Sequence, residues 1–133
     1  MSQPIANPIE QLQQRVNADE KLVWRGRYVD TVFWVETGDS DWLIRVAEGR
    51  IVSVKRGPLA MPSWRFALRA PRDAWDTFWL PLPPSGFHDL LAMAKRRVLR
   101  IEGDLHPFMA NLLYFKGVMA APRPRDAAEG AAR

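Results

Sequence analysis

Cysteine is absent from the 133 residues, which removes disulfides, thiolate metal sites and cysteine nucleophiles together and fits a reducing interior. Histidine is nearly absent: His88 and His106 are the only two, too few for a histidine-rich metal site. No apolar run approaches the ~18 residues of a membrane span, because Arg, Asp or Pro interrupts each candidate. The opening residues, Met1 to Asn7, offer neither a basic start nor an apolar stretch, so no secretory signal is expected. Glycine-rich phosphate loops are missing, since Gly26, Gly38, Gly49, Gly57, Gly86 and Gly103 stand alone at turns. None of Ser2, Ser40, Ser53, Ser63 and Ser85 sits in Gly-x-Ser-x-Gly. His88 and Asp89 are adjacent, but neighbours on a helix point about 100° apart and seldom act together. The expectation is a cytoplasmic protein with no cofactor, no metal and no catalytic activity.

The composition that remains is globular, 47% hydrophobic and 26% charged, and the length suits one core. The net charge of +4 is concentrated. Residues 25–103 carry thirteen basic and nine acidic side chains, while the flanks cancel. The arginines there, including Arg65, Arg69, Arg72, Arg96, Arg97 and Arg100, either form a solvated surface or attract an anionic headgroup, a phosphate or an acidic partner. The basic residues are too dispersed for a nucleic-acid interface, and no reading motif accompanies them.

Asn7-Pro8-Ile9-Glu10 predicts a capped helix to about Val16, with Ile9, Leu12 and Val16 on one face and a break or restart at residues 17–20. Four strands are expected next: Tyr28 to Thr37, Trp42 to Ala47, Ile51 to Lys55 with Val52 and Val54 on one side, and Trp64 to Ala70. The stretch from Gly57-Pro58 to Met61-Pro62 reads as a loop. Trp75, Phe78 and Trp79 then share one stripe of a short helix, ended by Leu80-Pro81-Leu82-Pro83-Pro84. A helix from Ser85 to about Arg96 is expected to turn Phe87, Leu90, Leu91 and Ala94 inward, and Arg97 to Glu102 reads as a fifth strand. Asp104 caps a last helix with Leu105, Phe108, Met109, Leu112 and Leu113 on one face. The layout is α+β, a four-strand meander followed by helices, with a late fifth strand that can join parallel to one neighbour. Three segments are expected: an N-terminal helical segment over residues 1–24 packing on the domain, the domain itself over 25–121, and a flexible tail over 122–133.

Six Trp and six Phe dominate the apolar faces, joined by Met61, Met93, Met109 and Met119. Two readings stay open. The bulky residues fill a core, or they line a cavity for a flexible apolar ligand, since Met repacks cheaply and aromatics span gaps.

The run from Trp64 to Trp75, then Gly86-Phe87-His88-Asp89-Leu90-Leu91, then Leu99-Arg100-Ile101-Glu102-Gly103-Asp104, resembles the sterol-carrier-protein lipid-binding domain. The early hairpin, Asp41 to Val46 and Glu48 to Ile51, fits the same pattern, so the likeness covers roughly residues 25–116. It implies a five-stranded, mainly antiparallel sheet with helices packed on one face. It also implies non-catalytic binding or transfer of a sterol, fatty acid or acyl-CoA in an internal tunnel. The walls it implies are Trp64, Phe66, Leu68, Trp75, Phe78, Trp79, Leu90, Met93, Phe108, Met109 and Leu112. The final Ala131-Ala132-Arg133 departs from the peroxisomal-type ending of some relatives, and the helix link is unusually rich in proline. The competing expectation is a protein–protein interaction module with a collapsed pocket, auxiliary to a lipid-metabolising enzyme. In that setting Arg96, Arg97 and Arg100 meet an anionic headgroup or phosphate, while Arg65 and Arg69 face an acidic partner. A transient membrane-surface contact through the arginine-rich face and a homodimer are further expectations.

Overall fold

A computed structural model describes the protein over residues 7–58 and 63–124. The chain begins with a 3₁₀ turn, Pro8–Gln11, followed by α1 (Leu12–Ala18) and α2 (Glu20–Arg25). Asn7 caps the turn by accepting the Ile9 N–H at 3.0 Å, and Asp19 restarts the helix by accepting the Leu22 N–H at 3.2 Å. Ile9, Leu12 and Val16 are fully buried, as their spacing implies.

Five strands make one sheet: β1 (Asp30–Glu36), β2 (Asp41–Ala47), β3 (Arg50–Arg56), β4 (Phe66–Arg69) and β5 (Arg100–Gly103), in the order β3-β2-β1-β4-β5. The first three form an antiparallel meander. Its second turn is tight because Glu48 and Gly49 both take left-handed φ, 54° and 80°, the conformation that matches strand twist in a two-residue hairpin. β4 then crosses to the far side of β1 and runs parallel to it, while β5 pairs antiparallel with β4. The expected four-strand meander is therefore three strands and a crossover, and parallel pairing belongs to the fourth strand, not the fifth. The physical reason is the connection: nine residues separate β3 from β4, too long for the tight turn that makes adjacent strands a hairpin. Met61 and its neighbours in that connection lie outside the described residues.

Thr31, Phe33 and Val35 of β1, Trp42, Ile44 and Val46 of β2, and Phe66 and Leu68 of β4 are buried on the inner face. On β3 the expected pairing of Val52 with Val54 fails. A bulge lets Arg45 face Ser53 while Val46 faces Ile51, so Ile51 is buried and Val52 is turned out. Asn17 occupies the gap, accepting from the Ile51 N–H at 2.8 Å and donating to its carbonyl at 3.0 Å. This ties α1 to the edge strand.

Helices α3 (Arg72–Phe78), α4 (Leu90–Lys95), α5 (Leu105–Ala110) and α6 (Leu112–Ala120) supply the rest of the core. The helix expected from Ser85 starts only at Leu90, because Asp89 is its cap, accepting the Ala92 N–H at 3.0 Å. Upstream, Gly86 takes a left-handed φ of 91° that a helix excludes. The last helix is two, broken at Asn111, whose side chain donates to the Pro107 carbonyl at 3.0 Å. The chain expected to fray from Pro122 is held as far as Pro124. Arg123 donates to the Phe78 carbonyl at 2.8 and 3.0 Å and lies 4.8 Å from that ring, and its own carbonyl accepts from Arg15 at 2.8 Å.

Candidate apolar-ligand site

Register decides which side chains meet. Parallel pairing sets Phe33 beside Phe66 and Val35 beside Leu68, so both pairs point to the same interior. The Phe33 and Phe66 rings stack with centroids 5.1 Å apart. Phe115 of α6 meets both edge-on at 5.4 and 5.1 Å, and Phe108 of α5 lies 5.3 Å from Phe66 and 5.9 Å from Phe115. All four are fully buried. Such offset and edge-to-face pairs add about 0.5–1.5 kcal/mol each beyond area burial.

A second group lies on α3. Trp75 stacks on Trp79 at 5.2 Å and meets Phe78 edge-on at 5.8 Å. The indoles are pinned at their polar tips: Trp75 Nε1 donates to the Glu36 carbonyl and Trp79 Nε1 to the Met119 carbonyl, each at 2.8 Å. Leu68, Leu90 and Met93 are fully buried in the same continuous core. The rings assigned to tunnel walls thus touch one another between sheet and helices.

Three of the eleven assigned residues are placed differently. Trp64 precedes β4 and packs edge-on against Trp34 at 5.7 Å, on the sheet face opposite Phe66, because the alternation begins only at Phe66. Met109 is half exposed and Leu112 partly buried. These two, with Ala110, Leu113, Tyr114 and Arg25, line an open groove of about 350 Å³ at the α5–α6 break. That size falls within the ~300–1,000 Å³ typical of ligand clefts. The break at Asn111 creates the groove by turning α6 away from the line of α5.

Tyr114 forms the groove's inner wall and is anchored through its hydroxyl, which donates to the Gly49 carbonyl at 2.8 Å. Burial pushes its phenol pKa up, so it stays a donor. Gly26 is obligatory beside it, since a Cβ there would collide with the Tyr114 ring. At the outer rim Leu113 is 64% exposed, and Arg25 also borders the cleft beside exposed Trp24.

Sequence reasoning passed over Phe33, Tyr114 and Phe115. Phe33 was readable from the alternation Thr31, Phe33, Val35. The pair Tyr114-Phe115 recurs four residues later as Val118-Met119, an apolar stripe visible once the helix is restarted at Leu112.

No histidine, cysteine or carboxylate group of three or more is placed to hold a metal among the described residues. No helix among the described residues is long and apolar enough to cross a membrane.

No protein-family model and no curated protein sequence matches the chain. Solved structures do. A crystal structure of sterol carrier protein 2 superposes with a TM-score of 0.70 at 10% identity, over 87% of this chain and 93% of that one. The ubiquinone synthesis protein UbiJ-SCP2 gives 0.56 at 13% identity, over 85% of this chain and 90% of that one. Palmitated SCP2L2 from Aedes aegypti gives 0.52 at 18% identity, over 85% of this chain and 93% of that one. Strand order, crossover and helix placement together identify the architecture: the chain has the sterol-carrier-protein-2 fold.

Proposed function

We propose that the protein binds or transfers an apolar, single-chain ligand such as a fatty acid, without catalysing a reaction on it. The observation that carries this reading is the groove at the α5–α6 break, where Met109, Leu112 and Leu113 present apolar surface on the two helices that also carry the buried Phe108 and Phe115. Arg25 on its rim is the natural partner of a carboxylate headgroup. The palmitated relative supports the ligand class. Phe66, Leu68, Trp75, Phe78, Trp79, Leu90, Met93 and Phe108 form the interior toward which an acyl chain extends. A chain entering beyond the groove displaces rings, Phe108 first, because it sits on the helix that borders the opening. Trp64, on the other sheet face, takes no part.

Titration of the delipidated protein with palmitate by calorimetry tests this. Wild type is expected to bind about one palmitate per chain. Leu113→Asp, which places a charge on the exposed rim without touching the core, is expected to weaken binding about tenfold or more. Unchanged binding in that variant would remove the groove from the site.

A second reading has its own observation. The contacts among Phe33, Phe66, Phe108 and Phe115 leave the interior filled, which suits an interaction module auxiliary to a lipid-metabolising enzyme. Absence of palmitate binding, together with a stable complex formed through the exposed Trp24 and Leu113 rim, favours that module.

A further inference from the structure

A different cleft, of about 380 Å³, opens where β1, β4 and the α4–β5 connection end, lined by Arg69, Arg97, Arg100 and Glu36 with small and apolar neighbours. It is remote from the α5–α6 groove. Tyr114 at the groove bonds to the turn that precedes β3, near the start of β1, whereas Glu36 ends β1. Six residue steps of strand separate the two, about 20 Å.

The three guanidinium groups are held differently. Arg69 is fixed: it donates to Glu102 at 2.8 Å, approaches Glu36 at 3.6 Å, and lies 4.7 Å from the Trp34 ring. Arg100 touches Glu102 only loosely, at 3.7 Å. Arg97 has no side-chain hydrogen bond, ion pair or ring contact among the described residues, and it is exposed. Its neighbour Arg96 turns elsewhere, 5.3 Å from the Phe87 ring, so only two of the three expected arginines converge.

Arg97 also sits where arginine is costly. The Val98 N–H bonds to the Met93 carbonyl and the Arg97 N–H to the Ala94 carbonyl, a Schellman ending of α4. Arg97 is its left-handed residue, with φ 65°, a position usually given to glycine because a Cβ is strained there. The Schellman bonds hold the backbone there, but among the described residues the side chain makes no bond that offsets the strain. The strained residue nonetheless presents a guanidinium with no partner among the described residues at the mouth of a cleft that already holds two others, and strain of this kind concentrates at functional positions.

We infer that this cleft binds a phosphate group, with the exposed Arg97 and Arg100 as its clamps and Arg69 as its fixed floor. Three arginines against Glu36, with Glu102 behind Arg69, leave one net positive charge to meet the anion. Planar forks suit phosphate oxygens in pairs. The phosphate is carried by a free pyrophosphate-like anion or by a phosphomonoester lipid headgroup, and the two arms of the test separate them.

The full chain is titrated with inorganic pyrophosphate and, separately, with dihexanoyl phosphatidic acid, at ionic strength matched with sodium chloride. Wild type is expected to melt higher with at least one probe than with chloride alone. The probe that binds more tightly identifies the source. Arg97→Gly is expected to melt at or above wild type without probe, because glycine relieves the left-handed strain, yet to bind about tenfold more weakly. Arg100→Gln, which leaves the backbone untouched, is expected to weaken binding similarly. Leu113→Asp at the distant groove is expected to bind the probes as wild type does, so loss of the fatty-acid reading leaves this one standing. The inference is overturned if wild type responds no more to either probe than to chloride, or if both arginine variants bind undiminished.

Discussion

Replacing Phe108 by alanine interrogates the interior most sharply. The ring is fully buried, 5.3 Å from Phe66 and 5.9 Å from Phe115, so its loss opens a hole with aromatic walls. Roughly 100 Å³ of side chain disappears, and at about 24 cal/mol per Å³ an unrelaxed hole alone costs about 2.4 kcal/mol. With the lost transfer energy the expected total is about 3–5 kcal/mol, a large share of the ~5–15 kcal/mol that holds a domain together. Urea denaturation of delipidated wild type and variant, compared at equal slope, measures the difference. Benzene is then expected to raise the variant's midpoint and leave wild type unmoved, since a dry apolar hole accepts it. A loss below about 1 kcal/mol would refute the reasoning: the four rings would not be tightly packed in the free protein, and their contacts would contribute little.

Other substitutions probe single features. Tyr114→Phe strands the buried Gly49 carbonyl, and an expected loss of about 1–3 kcal/mol is read by the same denaturation. Gly26→Val drives a side chain into the Tyr114 ring, so a lowered melting temperature and altered near-ultraviolet dichroism are expected. At Asp89 burial opposes the charged form, but the Ala92 N–H and the Lys116 ammonium at 3.7 Å outweigh it and hold the carboxyl below its usual 3.8. Its stabilising contribution is therefore complete above the unfolded value and is lost as pH falls through the lower folded one. Asp89→Asn keeps a capping oxygen and is expected to flatten that part of the acid limb in melting curves taken between pH 2 and pH 6. An unchanged limb would contradict the assignment.

Much of the architecture was legible because its causes are local. Asn7, Asp19 and Asp104 announce helix starts in their own side-chain chemistry, and the alternation at β1 and β4 names its buried face. What escaped was set at longer range. No local rule tells β4 to bypass two strands and pair with β1, since that follows from the inner faces of the whole sheet. The bulge at Val52 depends on Asn17, 34 positions earlier in its bond to Ile51, and it inverts the parity a strand pattern assumes. Asp89 rather than Ser85 starts α4 because Gly86 adopts a conformation that composition alone does not reveal. The assigned wall residues are apolar and mostly interior, but period alone cannot distinguish a ring that lines a space from a ring that fills it. Trp64 shows the other limit: extending a period two residues past the strand's edge puts the side chain on the wrong face.

Whether the protein carries an apolar molecule is answered most directly by a native mass spectrum of the freshly purified chain, repeated after delipidation and incubation with palmitate. The expected spectrum shows one small-molecule adduct per chain, removed by delipidation and restored by palmitate. Bare protein in both spectra would contradict the carrier reading and leave the sterol-carrier fold with a filled interior.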